Sequence, residues 1–169
     1  MAAATQISVD EYLHTTYRPD RDYVDGEVLE RKLGERDHSR PQMFLGAYLF
    51  AREKEWRIIV MPEQRVQVKP TRFRIPDVCV IYQDAPDEQI VTTPPLICIE
   101  ILSKDDSFSS IVDRLDDYVS MGVANIWVID PHKRRAYTYG VDGTMEARDG
   151  ELRVAGSTIS VPLASVFES

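Results

Sequence analysis

Two acidic residues stand where strand-like apolar runs leave little room for a charge. Glu100 interrupts the apolar run of residues 95–102, and Asp77 follows Pro76 and opens a second apolar run over residues 78–82. An unpaired charge in an apolar interior is costly, so each carboxyl group must be protonated, ion-paired or bound to a metal ion. Two such acids on two core strands suggest a site for a divalent cation.

Three helices are expected around these acids, over residues 9–14, 38–54 and 107–121. Ser8 and Glu11 match a capping box at the start of the first helix. Asp37 is placed to cap the second, which carries apolar residues at three- and four-residue spacing. Gly122 follows the third helix and is a typical helix stop. These helices flank a run of predicted strands.

The remaining patterns predict a sheet. Strands are expected over residues 57–61, 64–68, 77–82, 96–102, 125–130 and 135–139, with weaker ones near residues 151–154 and 158–161 before a short terminal helix. Asp25 and Gly26 mark the turn of a hairpin or bent strand over residues 22–30. The polar segment 83–95 is expected to be a loop or crossover. This order predicts one α/β domain over residues 1–169, with a central mixed sheet and a helix on each face.

Composition narrows the class of protein. A chain of 169 residues with 43% apolar content can bury a substantial core as one domain. It has no apolar run near the roughly 20 residues that span a bilayer, and residues 1–5 lack the features of a signal peptide. We therefore expect a cytoplasmic protein with no membrane partner. Cys79 and Cys98 fall in predicted core strands, where cysteine behaves as a small hydrophobic residue and a disulfide or zinc site is not expected.

The net charge of −8 at first argues against a nucleic-acid partner. The distribution of charge weakens that objection, because residues 31–74 hold eleven basic and five acidic residues, a net +6, which leaves −14 for the rest. A basic face beside an acidic, metal-binding one would suit a nucleic acid. Basic residues scattered over solvated surfaces are the alternative explanation.

Several short motifs, in order along the chain, resemble one protein family. They are Val-Asp-Gly-Glu at residues 24–27, His38, Arg-Ile-Pro-Asp-Val at 74–78, Ile-Glu-Ile-Leu-Ser at 99–103, Tyr118 with Gly122 and Val123, and Trp-Val-Ile-Asp-Pro at 127–131. Together they resemble the Uma-type putative restriction endonucleases, members of the PD-(D/E)XK nuclease superfamily, from about residue 11 to residue 139. The series as a whole is specific, whereas each piece alone is weak.

The resemblance implies a restriction-endonuclease-like core in which Asp77 and Glu100 hold Mg²⁺, or Mn²⁺ in its place, against the scissile phosphate. Hard carboxylate oxygens suit this ion, which is usually held by one or two carboxylates, waters and substrate phosphate. Asp22 lies where the family tends to have a glutamate and is a candidate for a further metal-site carboxylate, with a solvated turn acid as the alternative. His38 is a candidate for phosphate contact or proton transfer, with a capping or surface role as the alternative.

The chain departs from the superfamily at the motif lysine. Two residues beyond Glu100, on the same strand face, stands the apolar Leu102. The resemblance places the family's lysine on the following helix, four residues before Tyr118, where this chain has Arg114. Arginine cannot act as a general base, but its planar fork suits phosphate or carboxylate. Lys104 is the alternative cation.

The leading hypothesis is thus an Mg²⁺-dependent endonuclease acting on DNA, with Arg36 and Arg40 on its phosphate-facing surface. Analogy with nucleases that dimerise to cut both strands suggests a homodimer. A second hypothesis is a catalytically weak or inactive nuclease-like domain that acts as a binding module. In a third, the acids are structural, and arginines such as Arg74 or Arg114 form salt bridges with Asp77 and Glu100.

Overall fold

The computed structural model describes residues 5–32 and 34–168, so the part of the signal-peptide prediction that concerns residues 1–4 lies outside the described residues. Within those ranges the chain forms five helices: α1 (Val9–His14), α2 (Arg36–Phe50), α3 (Glu53–Trp56), α4 (Phe108–Met121) and α5 (Leu163–Phe167). The strands are β1 (Asp22–Val24), β2 (Glu27–Leu29), β3 (Ile58–Pro62), β4 (Val66–Lys69), β5 (Arg72–Arg74), β6 (Val78–Tyr82), β7 (Ile97–Ile101), β8 (Asn125–Asp130), β9 (Arg135–Gly140), β10 (Gly143–Glu146), β11 (Glu151–Arg153) and β12 (Ser160–Pro162).

The central sheet has six strands in the order β10-β9-β8-β7-β6-β3. Strands β7 and β8 are parallel, joined by the crossover through α4, and the other neighbours are antiparallel. A second, four-stranded antiparallel sheet has the order β2-β1-β5-β4, and β11 pairs with β12. The predicted mixed sheet is confirmed.

One helix covers each face of the central sheet. Leu45 and Leu49 of α2 share a core with alternate residues of β6 and β7, among them Val80 and Ile99. The intervening residues point to the other face, where Ile111, Leu115 and Tyr118 of α4 pack with Cys79, Cys98 and Val128. Strand alternation therefore divides the core into two layers, and it places Glu100 on the α4 side.

The register of β6 against β7 brings the two acids together. Val78 pairs with Ile99, and Cys79 with Cys98, in an antiparallel ladder. One step beyond the first pair, Asp77 and Glu100 stand opposite each other at the end of adjacent strands. Both cysteines are buried and free.

Three local predictions need correction. Asp37 does not cap α2, because the helix starts one residue earlier, at Arg36, with Glu35 at the N-cap and no side-chain capping bond. The predicted helix over residues 38–54 ends at Phe50, and α3 is separate. The strand near residues 64–68 is β4 of the second sheet and pairs with β5, which we did not predict because it has three residues and one apolar side chain.

No helix in residues 5–32 and 34–168 is long and apolar enough to cross a membrane.

Candidate active site

The two acids lie on the wall of a cleft of about 500 Å³. The cleft is bounded by the start of β6, the end of β7, the first turns of α2 and the first half of α4. Its charged lining includes Arg31, His38, Asp77, Glu100, Asp106 and Arg114. The structure therefore brings together four residues that the sequence nominated for catalysis: Asp77, Glu100, Arg114 and His38.

Asp77 is buried and has a donor on each carboxylate oxygen. The backbone N–H of Ile101, at the end of β7, donates to Oδ2 at 2.7 Å. Arg31 Nη2 donates to Oδ1 at 2.9 Å, and His38 Nε2 lies 3.2 Å from the same oxygen. Arg31 was missed by the sequence analysis, because nothing local links it to a residue 46 positions away.

Glu100 is buried in the same way and meets two groups of α4. Arg114 Nη1 donates to Oε2 at 3.0 Å, and the Tyr118 hydroxyl donates to Oε1 at 2.6 Å. The pKa of Glu100 is raised to about 7, because burial and the charge of Asp77 raise it by more than Arg114 and the Tyr118 hydrogen bond lower it. Tyr118 was predicted to be a core residue, and it is one, but its hydroxyl also orients the carboxylate.

Arg114, rather than Lys104, is the cation that contacts Glu100. Lys104 Nζ lies 2.8 Å from Glu35 Oε1 and is half-exposed. Although burial lowers the pKa of Arg114, the charges of Glu100 and Asp22 outweigh that effect, and the pKa lies well above its ordinary value. The Arg114 guanidinium therefore stays charged and cannot accept a proton.

Asp22 is fully buried, not a solvated turn acid, and it does not line the cleft. Its Oδ2 lies 3.1 Å from Arg114 Nε and 3.3 Å from Arg74 Nη1, and its Oδ1 accepts the Ile75 N–H at 3.2 Å. Because Arg114 contacts Glu100 through Nη1 and Asp22 through Nε, Asp22 fixes the direction of the arginine from behind.

Arg74 continues this chain of charges away from the cleft. Its Nε donates to Asp117 at 2.7 Å and its Nη2 to Asp113 at 2.6 Å. Arg72 donates to the other oxygen of Asp117 at 3.0 Å. The sequence carries a signal for this network. Arg72 and Arg74 alternate along a strand, and Asp113 and Asp117 stand four residues apart on a helix. Of the salt bridges in the structural hypothesis, the one between Arg114 and Glu100 is present, whereas Arg74 bridges to neither Asp77 nor Glu100.

His38 reaches the cleft from the first turn of α2. Burial lowers its pKa, but the hydrogen-bonding and charge effects of Asp77 outweigh this and raise the pKa above its ordinary value. Its Nδ1 is buried and has no hydrogen-bond partner among the described residues. The imidazole ring is therefore held against the Asp77 carboxylate through Nε2, while Nδ1 is enclosed by the protein.

Arg36 and Arg40 lie outside the cleft. Both are exposed and line a second cavity on the other side of α2. Their assignment to a nucleic-acid surface remains a prediction.

A metal ion would have to bind through few protein ligands. Among residues 5–32 and 34–168, no group of three or more His, Cys, Asp or Glu side chains is arranged to hold an ion. Asp77 and Glu100 nevertheless supply two hard carboxylates beside an open space, which fits Mg²⁺ in particular, because that ion keeps several waters and takes substrate phosphate oxygens. It does not fit zinc, which prefers a closed set of nitrogen and sulfur ligands.

A mixed sheet between two helices, with paired acids at the ends of adjacent strands, has the architecture of a nuclease-like fold. A crystal structure described as a putative nuclease belonging to DUF820, from Anabaena variabilis ATCC 29413, matches 96% of this chain and 98% of its own with a TM-score of 0.82 and 20% sequence identity. That likeness shows the fold. The model of the Uma2 family, described as putative restriction endonuclease, matches residues 9–164, and the chain belongs to this family. No curated protein matches it.

Proposed function

We propose that the protein is an Mg²⁺-dependent endonuclease that hydrolyses phosphodiester bonds of DNA. Family membership and the nuclease-like fold support a nuclease. The observation that carries the finer proposal is the placement of Asp77 and Glu100, opposite each other in the strand register, in a cleft shared with Arg31, Arg114 and His38.

Asp77 and Glu100 would hold the ion, and Asp22, which does not line the cleft, would hold Arg114 in position. When bound, Mg²⁺ polarises the phosphoryl oxygen, lowers the pKa of a bound water and offsets charge on the leaving oxygen. The negative charge of the acids is now balanced by Arg31 and Arg114, so these guanidinium groups must share the carboxylates with the ion or turn toward the phosphate. Both outcomes place positive charge where a phosphate would enter.

Arg114 is built to contact phosphate. Two of its nitrogens are fixed by Asp22 and Glu100, and the third, Nη2, makes no hydrogen bond within the described residues. A guanidinium group with a free N–H can donate a charge-assisted bond to a phosphate oxygen. Because it cannot take a proton from water, the proton must pass to another group, and His38, which lines the cleft, is the candidate for that role.

A second candidate function is a nuclease-like binding module without activity. The observation in its favour is that each acid already has an arginine partner, with Arg31 2.9 Å from Asp77 and Arg114 3.0 Å from Glu100. Such pairs satisfy two buried carboxylates with no ion. In this function the cleft would bind a partner, and the acids would be structural.

A cleavage assay separates the two functions. Supercoiled plasmid, single-stranded DNA and RNA are incubated with Mg²⁺, Mn²⁺ or chelator, and we expect nicked or linear plasmid with either cation and none with chelator. Asp77→Asn and Glu100→Gln should abolish this activity. Asp130→Asn is the matched control, because Asp130 is also a buried strand-end acid but does not line the cleft. Binding of DNA without cleavage of any substrate would favour the binding module.

A homodimer belongs to the same proposal, because two copies would place one cleft on each strand of a duplex. Sedimentation of the protein with and without DNA tests it, and a monomer in both states would contradict it.

A further inference from the structure

A second polar cavity, which we name the basic cavity, lies beside the N-terminal end of α2. It has a volume of about 280 Å³. Its lining includes three arginines, Arg36, Arg40 and Arg134, together with His132, Asp37 and Phe167. We propose that the basic cavity binds a backbone phosphate of the nucleic acid, a few nucleotides from the phosphate that enters the cleft. This inference rests on the proposed function and adds a second contact point for the same substrate.

Helical geometry separates the two sites and also keeps them close. His38 and Gln42 line the cleft, whereas Arg36 and Arg40 line the basic cavity. At 100° per residue these two pairs project from opposite sides of α2. The distance between the sites is therefore about the width of a helix with its side chains, roughly 10 to 12 Å.

The charges of Arg36 and Arg40 are not neutralised by the protein. Both side chains are exposed, and neither makes a hydrogen bond or ion pair with any described residue. The acid of the cavity, Asp37, has its Oδ2 3.7 Å from His132 Nδ1. Arg134 donates from Nη1 to the Phe167 carbonyl at 3.1 Å, which fixes its direction without cancelling its charge.

Stability of the fold does not account for this arrangement. Arg36 is the first residue of α2, where the helix macrodipole disfavours a cation. Arg134 has a φ of 53°, a left-handed conformation that long side chains rarely adopt. Unfavourable local features of this kind are often found at binding sites, where they serve a ligand.

Phosphate is the ligand chemistry that fits. Arginine forks bind phosphate oxygens in pairs, and the unpaired N–H groups of a helix N-terminus attract the same charge. Helix α2 has no side-chain cap, and because the N–H of its third residue, His38, donates to the Glu35 carbonyl, only those of Arg36 and Asp37 are left without an acceptor among the described residues. A strand of duplex DNA carries one phosphate per 3.4 Å of axis, so two nearby phosphates of one strand can reach both sites as the strand passes over the end of α2.

The test compares salt-dependent DNA binding of two double variants of the full chain. Arg36→Gln/Arg40→Gln removes the unpaired charges of the basic cavity. Lys54→Gln/Arg57→Gln is the matched control, since both residues are exposed and stand before β3, at the opposite end of that strand from the cleft residue Glu63. Affinity for a 20-base-pair duplex is measured by fluorescence anisotropy from about 50 to 200 mM salt, without divalent cations.

We expect the plot of log affinity against log salt to become shallower by about one to two for the Arg36 and Arg40 variant and to stay unchanged for the control. In cleavage assays with Mg²⁺ the same variant should have a higher KM and an unchanged kcat. A phosphate contact away from the cleft stabilises the bound substrate and the transition state equally, so its loss weakens binding without slowing the reaction. Both results would support the basic cavity as a binding site for the substrate backbone.

Three results would overturn the inference. If the wild type binds and cleaves DNA while both double variants behave alike, the basic cavity is not part of the binding surface and the proposed function stands. If thymidine 5′-monophosphate binds the wild type as tightly as the duplex, and Arg36→Gln/Arg40→Gln abolishes that binding, the cavity holds a free nucleotide instead. If the wild type neither binds nor cleaves any nucleic acid, the proposed function fails together with the inference.

Discussion

Replacing Asp77 by asparagine separates a metal ligand from a structural acid. The substitution keeps the shape of the side chain and removes its charge. Asparagine can still accept the N–H of Ile101, which now reaches Oδ2 at 2.7 Å. Arg31 and His38 would lose their carboxylate, and Arg31 would keep only Glu63, whose Oε1 lies 3.8 Å from Nη1.

The expected loss of stability follows from these contacts. Removing one partner of a buried ion pair costs about 3 to 5 kcal/mol. The remaining contact with Glu63 and the retained backbone bond favour the lower end, about 3 kcal/mol. For a domain of this size, each kcal/mol shifts Tm by about 2 to 4 °C, so we expect the metal-free Asp77→Asn protein to melt roughly 6 to 12 °C below the wild type.

Thermal unfolding with and without Mg²⁺ is the assay. At 100 times its Kd, an ion that binds only the folded state stabilises it by about 2.7 kcal/mol, which raises Tm by roughly 5 to 11 °C. We expect this rise in the wild type and not in Asp77→Asn. Asp106→Asn is the control, because it removes a different acid of the same cleft and should keep the rise. If Asp77→Asn is destabilised and the Tm of the wild type does not change with Mg²⁺, the metal site is refuted. If Asp77→Asn shows the same Mg²⁺-dependent rise in Tm as the wild type, Asp77 is excluded as a ligand.

Three further predictions follow from the site. Arg114→Lys should increase the cleavage rate at equal Mg²⁺ by tenfold or more, because lysine can exchange a proton and arginine cannot; an unchanged or lower rate would count against Arg114 as the replacement for the motif lysine. The pKa of Glu100 is raised to about 7, chiefly by burial, so below that pH Mg²⁺ must displace a proton from Glu100. Calorimetry should therefore show that the affinity for Mg²⁺ falls, and that more protons are released on binding, as the pH decreases through about 7. An affinity that does not depend on pH would contradict this. In denaturant titrations, Arg74→Met should lower the free energy of unfolding by about 3 to 5 kcal/mol, because it leaves buried acids without their partner. The double variant Arg74→Met/Asp117→Leu should recover part of that loss. Strictly additive losses would argue against a coupled network.

Local patterns in the sequence were sufficient for the parts of the site that lie on regular elements. The acids were found because Glu100 interrupts one apolar strand and Asp77 opens another, and those strands are neighbours in the sheet. Arg114 was nominated through the family resemblance, which places a cation four residues before Tyr118, and the structure brings it to Glu100. The partners that were missed, Arg31 and Arg74, come from other parts of the chain. Their contacts with aspartates span 46 and 43 residues, and pairing over such distances is set by how sheets and helices pack.

The same reasoning explains why Asp22 could not be assigned from sequence. In the sequence it is an acid before a hairpin, a position where most aspartates are solvated. In the structure it belongs to β1 of the smaller sheet and contacts Arg114 of α4, which packs on the central sheet. The small sheet also supplies Arg74, whose Nη1 lies 3.3 Å from the same Asp22 oxygen that contacts Arg114. A long arginine side chain can point in several directions, and here an acid from a different sheet sets the direction of Arg114. The position of its guanidinium group beside Glu100 is therefore a property of the whole fold rather than of the helix that carries the residue.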